Sequence, residues 1–450
     1  MINRKLDTFL ANHYAHSDKA LLLTGARQVG KSFAIRKYGK KHYENYLEIN
    51  FLRDVEMVRV FQDATDVDNL LLRLSAVARV PLVPHKTFVF LDEVQAYPDV
   101  MTWVKFLVED GNYRYALSGS LLGTQLKDIR SMPVGFLQEI QVYPLDFEEF
   151  IGALGVSDKV VESVREAWEK QTPVDNFVHE KWMQLFRLYL IVGGMPEVVQ
   201  TYMDSNNLQN VWQVQQAILG MYRRDIAQYD AQRKLYIQAI FDLIPSELNA
   251  QNKRFVMRNL NAHFKLSRYE NDFIWLQEAG VALPTFNVEK PRMPLLLNKQ
   301  HNLFKLFQND VGLLACQYAN GIQMQLLNGE TDINYGAIYE NVVAQELSAH
   351  GFDLYYFNSK KVGEVDFVVE YKGGVLPIEV KSGKDYRRHA ALDHCLACAD
   401  FHLDRAIVLC NGNVSKADGV LYAPIYMVMW LHHRPAQEAQ VYKVDLSGLP

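Results

Sequence analysis

Residues 21–32 read LLLTGARQVGKS, an apolar run that breaks at Gly25 and ends in Lys31 and Ser32. Gly25-Ala26-Arg27-Gln28-Val29-Gly30-Lys31-Ser32 satisfies the phosphate-loop pattern G-x-x-x-x-G-K-[ST]. It also stands in the context the pattern needs, after an apolar strand and before a helix opening KSFAIRKYG. Gly25 and Gly30 admit backbone torsions that aim successive N–H groups inward at phosphate oxygens. The helix N-terminus adds partial positive charge at the same place. The eight residues are therefore expected to cradle the phosphates of ATP, with the Lys31 ammonium on the β and γ groups and the Ser32 hydroxyl as a Mg2+ ligand.

Working outward, TFVFLDE at 87–93 is a buried strand that delivers Asp92 at its carboxyl end, beside the loop, to hold the magnesium shell. Glu93 follows and is placed to orient and polarise an attacking water. The run YRYALSGS at 113–120 ends in Ser118 and Ser120, either of which suits a γ-phosphate contact, and Ser120 joins the expected nucleotide-binding set. From Lys19 to Tyr143 such strands (KALLLTG, YLEINF, TFVFLDE, YRYALSGS) alternate with helical periods. That alternation predicts an α/β fold with a parallel sheet covered on both faces.

GARQVGKS, FLDEVQ, LSGSLL, YPLDFEEF and GGMPEVV together resemble the bacterial and archaeal AAA-type ATPases that carry a downstream domain of unknown function. The resemblance covers nearly the whole chain. It implies an AAA+-like core in which Lys31, Ser32, Asp92 and Glu93 take the roles given above. It also implies an arginine finger, which no residue fills convincingly. Arg130 and Arg223-Arg224 read better as surface ion-pair residues, and Phe136 stands in a stretch where many relatives carry arginine.

Residues 1–150 are read as this ATPase domain and 151–230 as a helical lid region. Residues 231–326 read as a winged helix, with helices at KLYIQAIFDLIP, NKRFVMRNLNAHF and SRYENDFIWLQEAGV before two strands around EKPRMP. Residues 327–450 form the last domain. There GEVDFVVE and LPIEVKSG alternate as strands about a YKGG turn, giving a hairpin. Glu379 and Lys381 project from one face of their strand, Asp366 approaches from its neighbour, and Glu340 lies on a helix able to cover them. Asp366 and Glu379 make an oxygen site for Mg2+ or Mn2+, and Lys381 can activate water. Glu346 is a poorer substitute for Glu340, because it lies on a different helical face. This Glu-Asp-Glu-x-Lys set resembles the PD-(D/E)XK nuclease superfamily, with Val365 where the nominal signature has proline. The resemblance implies a restriction-nuclease-like α/β fold and DNA as a partner. Lys360, Lys361, Lys384, Arg387 and Arg388 near the acids suit phosphate contacts.

The 450 residues call for two to four domains, and 49% hydrophobic content rules out long disorder. A net charge of −5 excludes a globally basic coat. The polar start and the lack of a run of about 20 apolar residues lead to the expectation of a cytoplasmic protein without a membrane partner. Four cysteines do not suggest a disulfide framework, and Cys395-x-x-Cys398 lacks a second ligand pair. The expectation is thus an ATP hydrolase, with a homo-oligomer open to it, coupled to a nuclease-like domain. Its rivals are a nucleotide-driven switch that binds a partner without cleaving, and a small-molecule kinase, against which Glu93 counts.

Overall fold

A computed structural model describes residues 2–119, 133–229, 233–250, 253–255, 270–318, 322–328 and 335–433. Strands β1 (Ala20–Thr24), β2 (Asn45–Asn50), β3 (Thr87–Asp92), β4 (Arg114–Ser118) and β5 (Leu137–Gln141) form one sheet in the order β2-β3-β4-β1-β5. Every neighbouring pair is parallel. The first four coincide with the apolar runs named above. The fifth lies at the sheet edge, where Glu139 and Gln141 are exposed and no apolar pattern marks it. Strand β4 stands between β1, which leads into the phosphate loop, and β3, which ends in Asp92.

Helices α1 (Lys5–His16), α2 (Lys31–His42), α3 (Val55–Gln62), α4 (Val67–Val77) and α5 (Val100–Asp110) cover this sheet. The period of two along β1 divides its side chains between two cores. Leu21 and Leu23 pack with Leu10, Ala34 and Ile35 on the α1–α2 side. Ala20 and Leu22 pack with Phe61, Leu70 and Leu107 on the other.

A helical layer follows: α6 (Phe147–Ala153), α7 (Asp158–Lys170), α8 (Asn176–Val192), α9 (Pro196–Ser205), α10 (Leu208–Tyr229), α11 (Lys234–Asn249) and α12 (Glu270–Glu278). Asp146 and Glu149 start α6 with a capping box. Pro196 starts α9, where its missing N–H costs nothing.

The second sheet comprises β6 (Ala282–Val288), β7 (Lys299–Gln308), β8 (Tyr355–Ser359), β9 (Gly363–Tyr371), β10 (Gly374–Val380), β11 (Ala406–Cys410), β12 (Ser415–Ala417) and β13 (Val420–Pro424). Its order is β12-β13-β11-β10-β9-β8-β6-β7. Helices α13 (Val311–Gln317), α14 (Ile322–Asn328), α15 (Gly336–Ala349) and α16 (Ala390–Ala397) accompany it. The β9–β10 hairpin turns at Lys372 and Gly373 and is antiparallel, as the YKGG reading requires.

The expected wing is organised differently. Strands β6 and β7 do form an antiparallel hairpin, but β6 also pairs in parallel with β8, Phe286 opposite Tyr355. The hairpin is therefore the edge of the C-terminal sheet, and that sheet runs across the boundary expected near Leu327. Alternation along β6 and β7 reads the same for a wing as for a sheet edge, since only the partner strand, about 70 residues onward in sequence, distinguishes them. Of the expected helix NKRFVMRNLNAHF, all but Lys253, Arg254 and Phe255 lie outside the described residues. One apolar cluster extends from β1 through α8 and α15 to Ile425–Leu431, so the first and last parts of the chain share a core. Among the described residues no helix is long and apolar enough to cross a membrane.

Candidate functional site

The phosphate loop has the torsions its glycines predict: φ is +120° at Gly25 and +94° at Gly30, and Gln28 is left-handed at +65°. A Cβ on Gly25 would lie 2.3 Å from the Val142 carbonyl oxygen, so only glycine fits there. Lys31 is buried, and its Nζ donates to the carbonyl oxygens of Gly25 (2.8 Å) and Ala26 (2.7 Å). It makes no ion pair with a described residue, and burial lowers its pKa to about 8 despite Glu93 and Asp92 nearby. A buried ammonium resting on two carbonyls, with backbone amides around it, suits an anionic ligand.

Asp92 is buried at the end of β3 and both its oxygens are engaged. Oδ1 accepts from Ser32 Oγ (2.8 Å) and from Ser118 Oγ, while Oδ2 accepts from Asn50 Nδ2 (2.8 Å) and Arg36 Nη2 (3.2 Å). Arg36 in turn grips Glu48 with Nε and Nη2, at 2.9 to 3.1 Å. Ser32 and Asp92 thus meet as a hydroxyl–carboxylate pair able to share a magnesium ion, which favours oxygen ligands of this kind. Glu93 adopts a left-handed conformation (φ +58°) and accepts from Gln95 Nε2. A cavity of about 440 Å³ opens over these groups, with Lys31, Ser32, Glu93 and Ser118 on one side and Ile2, Phe33 and Pro196 on the other. Of the two candidate serines, Ser118 reaches the site. Ser120 and Arg130 lie outside the described residues.

Distant segments close in behind the loop. Arg27 pairs with Asp225 at 2.8 Å, and its carbonyl accepts from Tyr222 Oη at 3.3 Å. Asn309 Nδ2 donates to the Tyr222 hydroxyl (3.5 Å). The neighbouring Asp310 accepts from the Gly194 N–H at 2.6 Å, and burial raises its pKa to about 6. Gly280, between α12 and β6, sits so close that a Cβ there would be 2.7 Å from Ala26 N. Arg223 bonds Asp242 (2.9 Å), an ion pair on the helical layer. GGMPEVV is thus a junction: Gly194 joins Leu145 (2.7 Å) to Asp310, and Pro196 faces the cavity.

In the C-terminal part, Glu340, Asp366, Glu379 and Lys381 do come together. Asp366 Oδ2 accepts from the Val380 N–H (2.9 Å), and Lys381 Nζ donates to Glu379 Oε1 at 2.7 Å. Burial, with Glu340 and Glu379 adding to it, holds the Asp366 carboxyl well above its usual range. Burial also raises Glu379. Lysines also stand among these acids. Lys305 of β7, fully buried, lies 2.8 Å from Glu364, 3.4 Å from Glu340 and 3.9 Å from Asp366, and Lys253 pairs with the other Glu340 oxygen. Ammonium groups stand among the acids, and the described residues contain no group of three or more His, Cys, Asp or Glu arranged to hold a metal ion. Glu346 belongs elsewhere: it accepts from the Phe147 N–H (2.9 Å) and Tyr189 Oη (3.2 Å). Cys395 is buried on α16, and all four cysteines are free thiols.

Sequence reasoning missed Arg36, Asn50, Glu364, Lys253 and Lys305. Arg36 had a signal, standing four residues beyond Ser32 on α2, one turn on and on the same face. Lys305 had none, since either lysine in KQHNLFKLFQ reads as solvated.

Against known proteins, residues 17–151 match the family described as AAA domain. With the phosphate loop and the all-parallel sheet, this match makes residues 17–151 similar to an AAA-type ATPase domain. Residues 183–325 and 335–427 match two domains of unknown function, DUF8612 and DUF4143. An uncharacterized protein of Haemophilus influenzae is 23% identical over 440 residues, covering 93% of this chain and 95% of that one. Similar solved structures include the Walker-type ATPase PABY2304 of Pyrococcus abyssi, at 14% identity over 70% of this chain and 96% of that one, with a TM-score of 0.42. Another is the Aeropyrum pernix ORC1 protein in complex with DNA, at 10% identity over 72% and 94%, with a TM-score of 0.26.

Proposed function

We propose that the chain is a magnesium-dependent ATP hydrolase whose nucleotide state is passed through the helical layer to the C-terminal sheet. The observation that carries this reading is the single cavity shared by Lys31, Ser32, Glu93 and Ser118. The loop amides and Lys31 bind the phosphates, and Ser32 with Asp92 would hold the metal. Bound magnesium supplies charge neutralisation on the β and γ oxygens. Glu93, swung off Gln95, accepts a proton from the attacking water. The apolar side at Ile2, Phe33 and Pro196 gives the base a surface, and the phosphate release assay tests the whole. Lys31→Ala, folded by circular dichroism, should lose ATP turnover; undiminished hydrolysis would sink the assignment.

For the C-terminal part, the ammonium groups among the acids favour a nucleotide-driven switch whose last domain binds DNA or a protein without cutting it. A second reading is favoured by the convergence of Glu340, Asp366, Glu379 and Lys381: phosphodiester hydrolysis by a nuclease-like domain once a divalent ion enters. Plasmid incubated with Mg2+ or Mn2+ decides between them. Uncut DNA with both wild type and Asp366→Ala, while ATP turns over, rejects the nuclease. A homo-oligomer completing the ATP site across subunits is part of the proposal, read by light scattering with and without nucleotide.

A further inference from the structure

The acids of the C-terminal part are neutralised from an unexpected direction. Besides Lys381, two of their cations come from outside the β9–β10 hairpin: Lys305 lies on the sheet-edge strand β7, and Lys253 precedes it on the chain. The Lys305 side chain has no solvent exposure, and its Nζ faces Glu364, Glu340 and Asp366 at 2.8, 3.4 and 3.9 Å. It also sits 5.1 Å from the Tyr356 ring centroid, where the aromatic face adds a further attraction for a cation. A lone buried ammonium would be very costly, so its charge is sustained by those carboxylates.

The charge count is informative. Glu340, Glu364, Asp366 and Glu379 supply four negative groups, and Lys253, Lys305 and Lys381 supply three positive ones, as paired in the structure. A divalent cation added beside Lys305 would bring two positive centres together in a largely buried site. One Glu379 oxygen is buried without a hydrogen-bond partner, an acceptor still open toward this interior.

We propose that Lys305 is the resident counter-ion of the C-terminal acid cluster, standing where a nuclease-like domain would take a divalent cation and keeping the cluster closed to one. This rests on the nuclease-like reading of Glu340, Asp366, Glu379 and Lys381 above. Just past the end of β7, Asp310 holds Gly194 and Asn309 reaches Tyr222. The closing lysine is thus joined through the end of β7 to residues that pack behind the phosphate loop, where Tyr222 donates to the Arg27 carbonyl.

The test counts Mn2+ by electron paramagnetic resonance on the full chain without nucleotide. Wild type should bind no Mn2+ that Asp366→Asn removes. Lys305→Met, which keeps volume and removes charge, should gain about one ion per chain, lost again in the Lys305→Met/Asp366→Asn double variant. A nucleotide-independent ion in wild type that Asp366→Asn abolishes overturns the proposal, as does a folded Lys305→Met that gains none. Should Lys305→Met fail to fold, the wild-type and Asp366→Asn pair still decides. DNA cleavage, scored on the same samples, bears on the nuclease reading separately: an ion gained without cleavage sinks that reading and leaves the counter-ion assignment standing.

Discussion

Arg36→Ala should slow ATP turnover without weakening nucleotide binding. The guanidinium lies outside the phosphate cradle and touches it only through Asp92, at 3.2 Å, while gripping Glu48 with three contacts of 2.9 to 3.1 Å. A hydrogen bond to a charged group contributes about 1.5–3 kcal/mol when buried. The Arg36 side chain is 40% exposed, so solvent screening reduces the Asp92 contact to about 1–1.5 kcal/mol. Loss of a contact of that size, realised at the metal-holding carboxylate, corresponds to roughly a tenfold fall in kcat. The loop amides and Lys31 are untouched, so Kd for an ATP analogue should stay within about twofold of wild type, a split between turnover and binding that marks a positioning residue. Arg36→Lys restores the charge but not the planar fork, and should recover only part of the rate. Because Asn50 holds the same Asp92 oxygen at 2.8 Å, Arg36→Ala and Asn50→Ala should combine non-additively. Steady-state phosphate release, paired with calorimetric titration, makes the measurement. Turnover of Arg36→Ala within twofold of wild type would refute the reasoning.

Gly280→Ala should weaken ATP binding about tenfold or more, although position 280 is far from the loop in sequence. Its φ is +69° and the new Cβ would press on Ala26 N at 2.7 Å; titration with an ATP analogue reads the effect, and wild-type affinity would contradict it. Mild acidification should also relieve the cost of burying Glu346 and Asp310. Burial raises Glu346 to about 7, with His350, Asp146 and Lys5 the charged neighbours, and burial raises Asp310 to about 6. Both are acids with folded values above their unfolded ones, so their destabilising effect is complete only well above the folded value of Glu346 and is relieved as pH falls through the folded values. Each fully titrating group changes stability by about 1.4 kcal/mol per pH unit. Because the half-buried His432, lowered by burial to about 4, opposes this over the same window, the test is differential: from pH 7.5 to pH 6 the melting midpoint of wild type should gain relative to that of Glu346→Gln, and equal pH slopes in the two would remove Glu346 from the account.

The nucleotide site was legible in the chain itself. A phosphate loop is a local object: eight consecutive residues set its torsions, its charge and the start of its helix, and an apolar strand ending in Asp92-Glu93 carries its own partner to the right edge of a parallel sheet. Glu340, Asp366, Glu379 and Lys381 were legible for a similar reason, since a hairpin and one helix bring them together with short connections. What stayed hidden was whatever depends on segments that meet after long excursions. The β6–β7 hairpin looks like a wing until β8 pairs with it. Arg36 looks like a helix-surface cation until Glu48 and Asp92 arrive from two other strands. Lys305 looks solvated until three acids from α15 and β9 surround it. Local pattern reports which face a residue occupies, but the ionic partner across that face is chosen by tertiary packing, and here that choice brought the Lys305 ammonium among the acids.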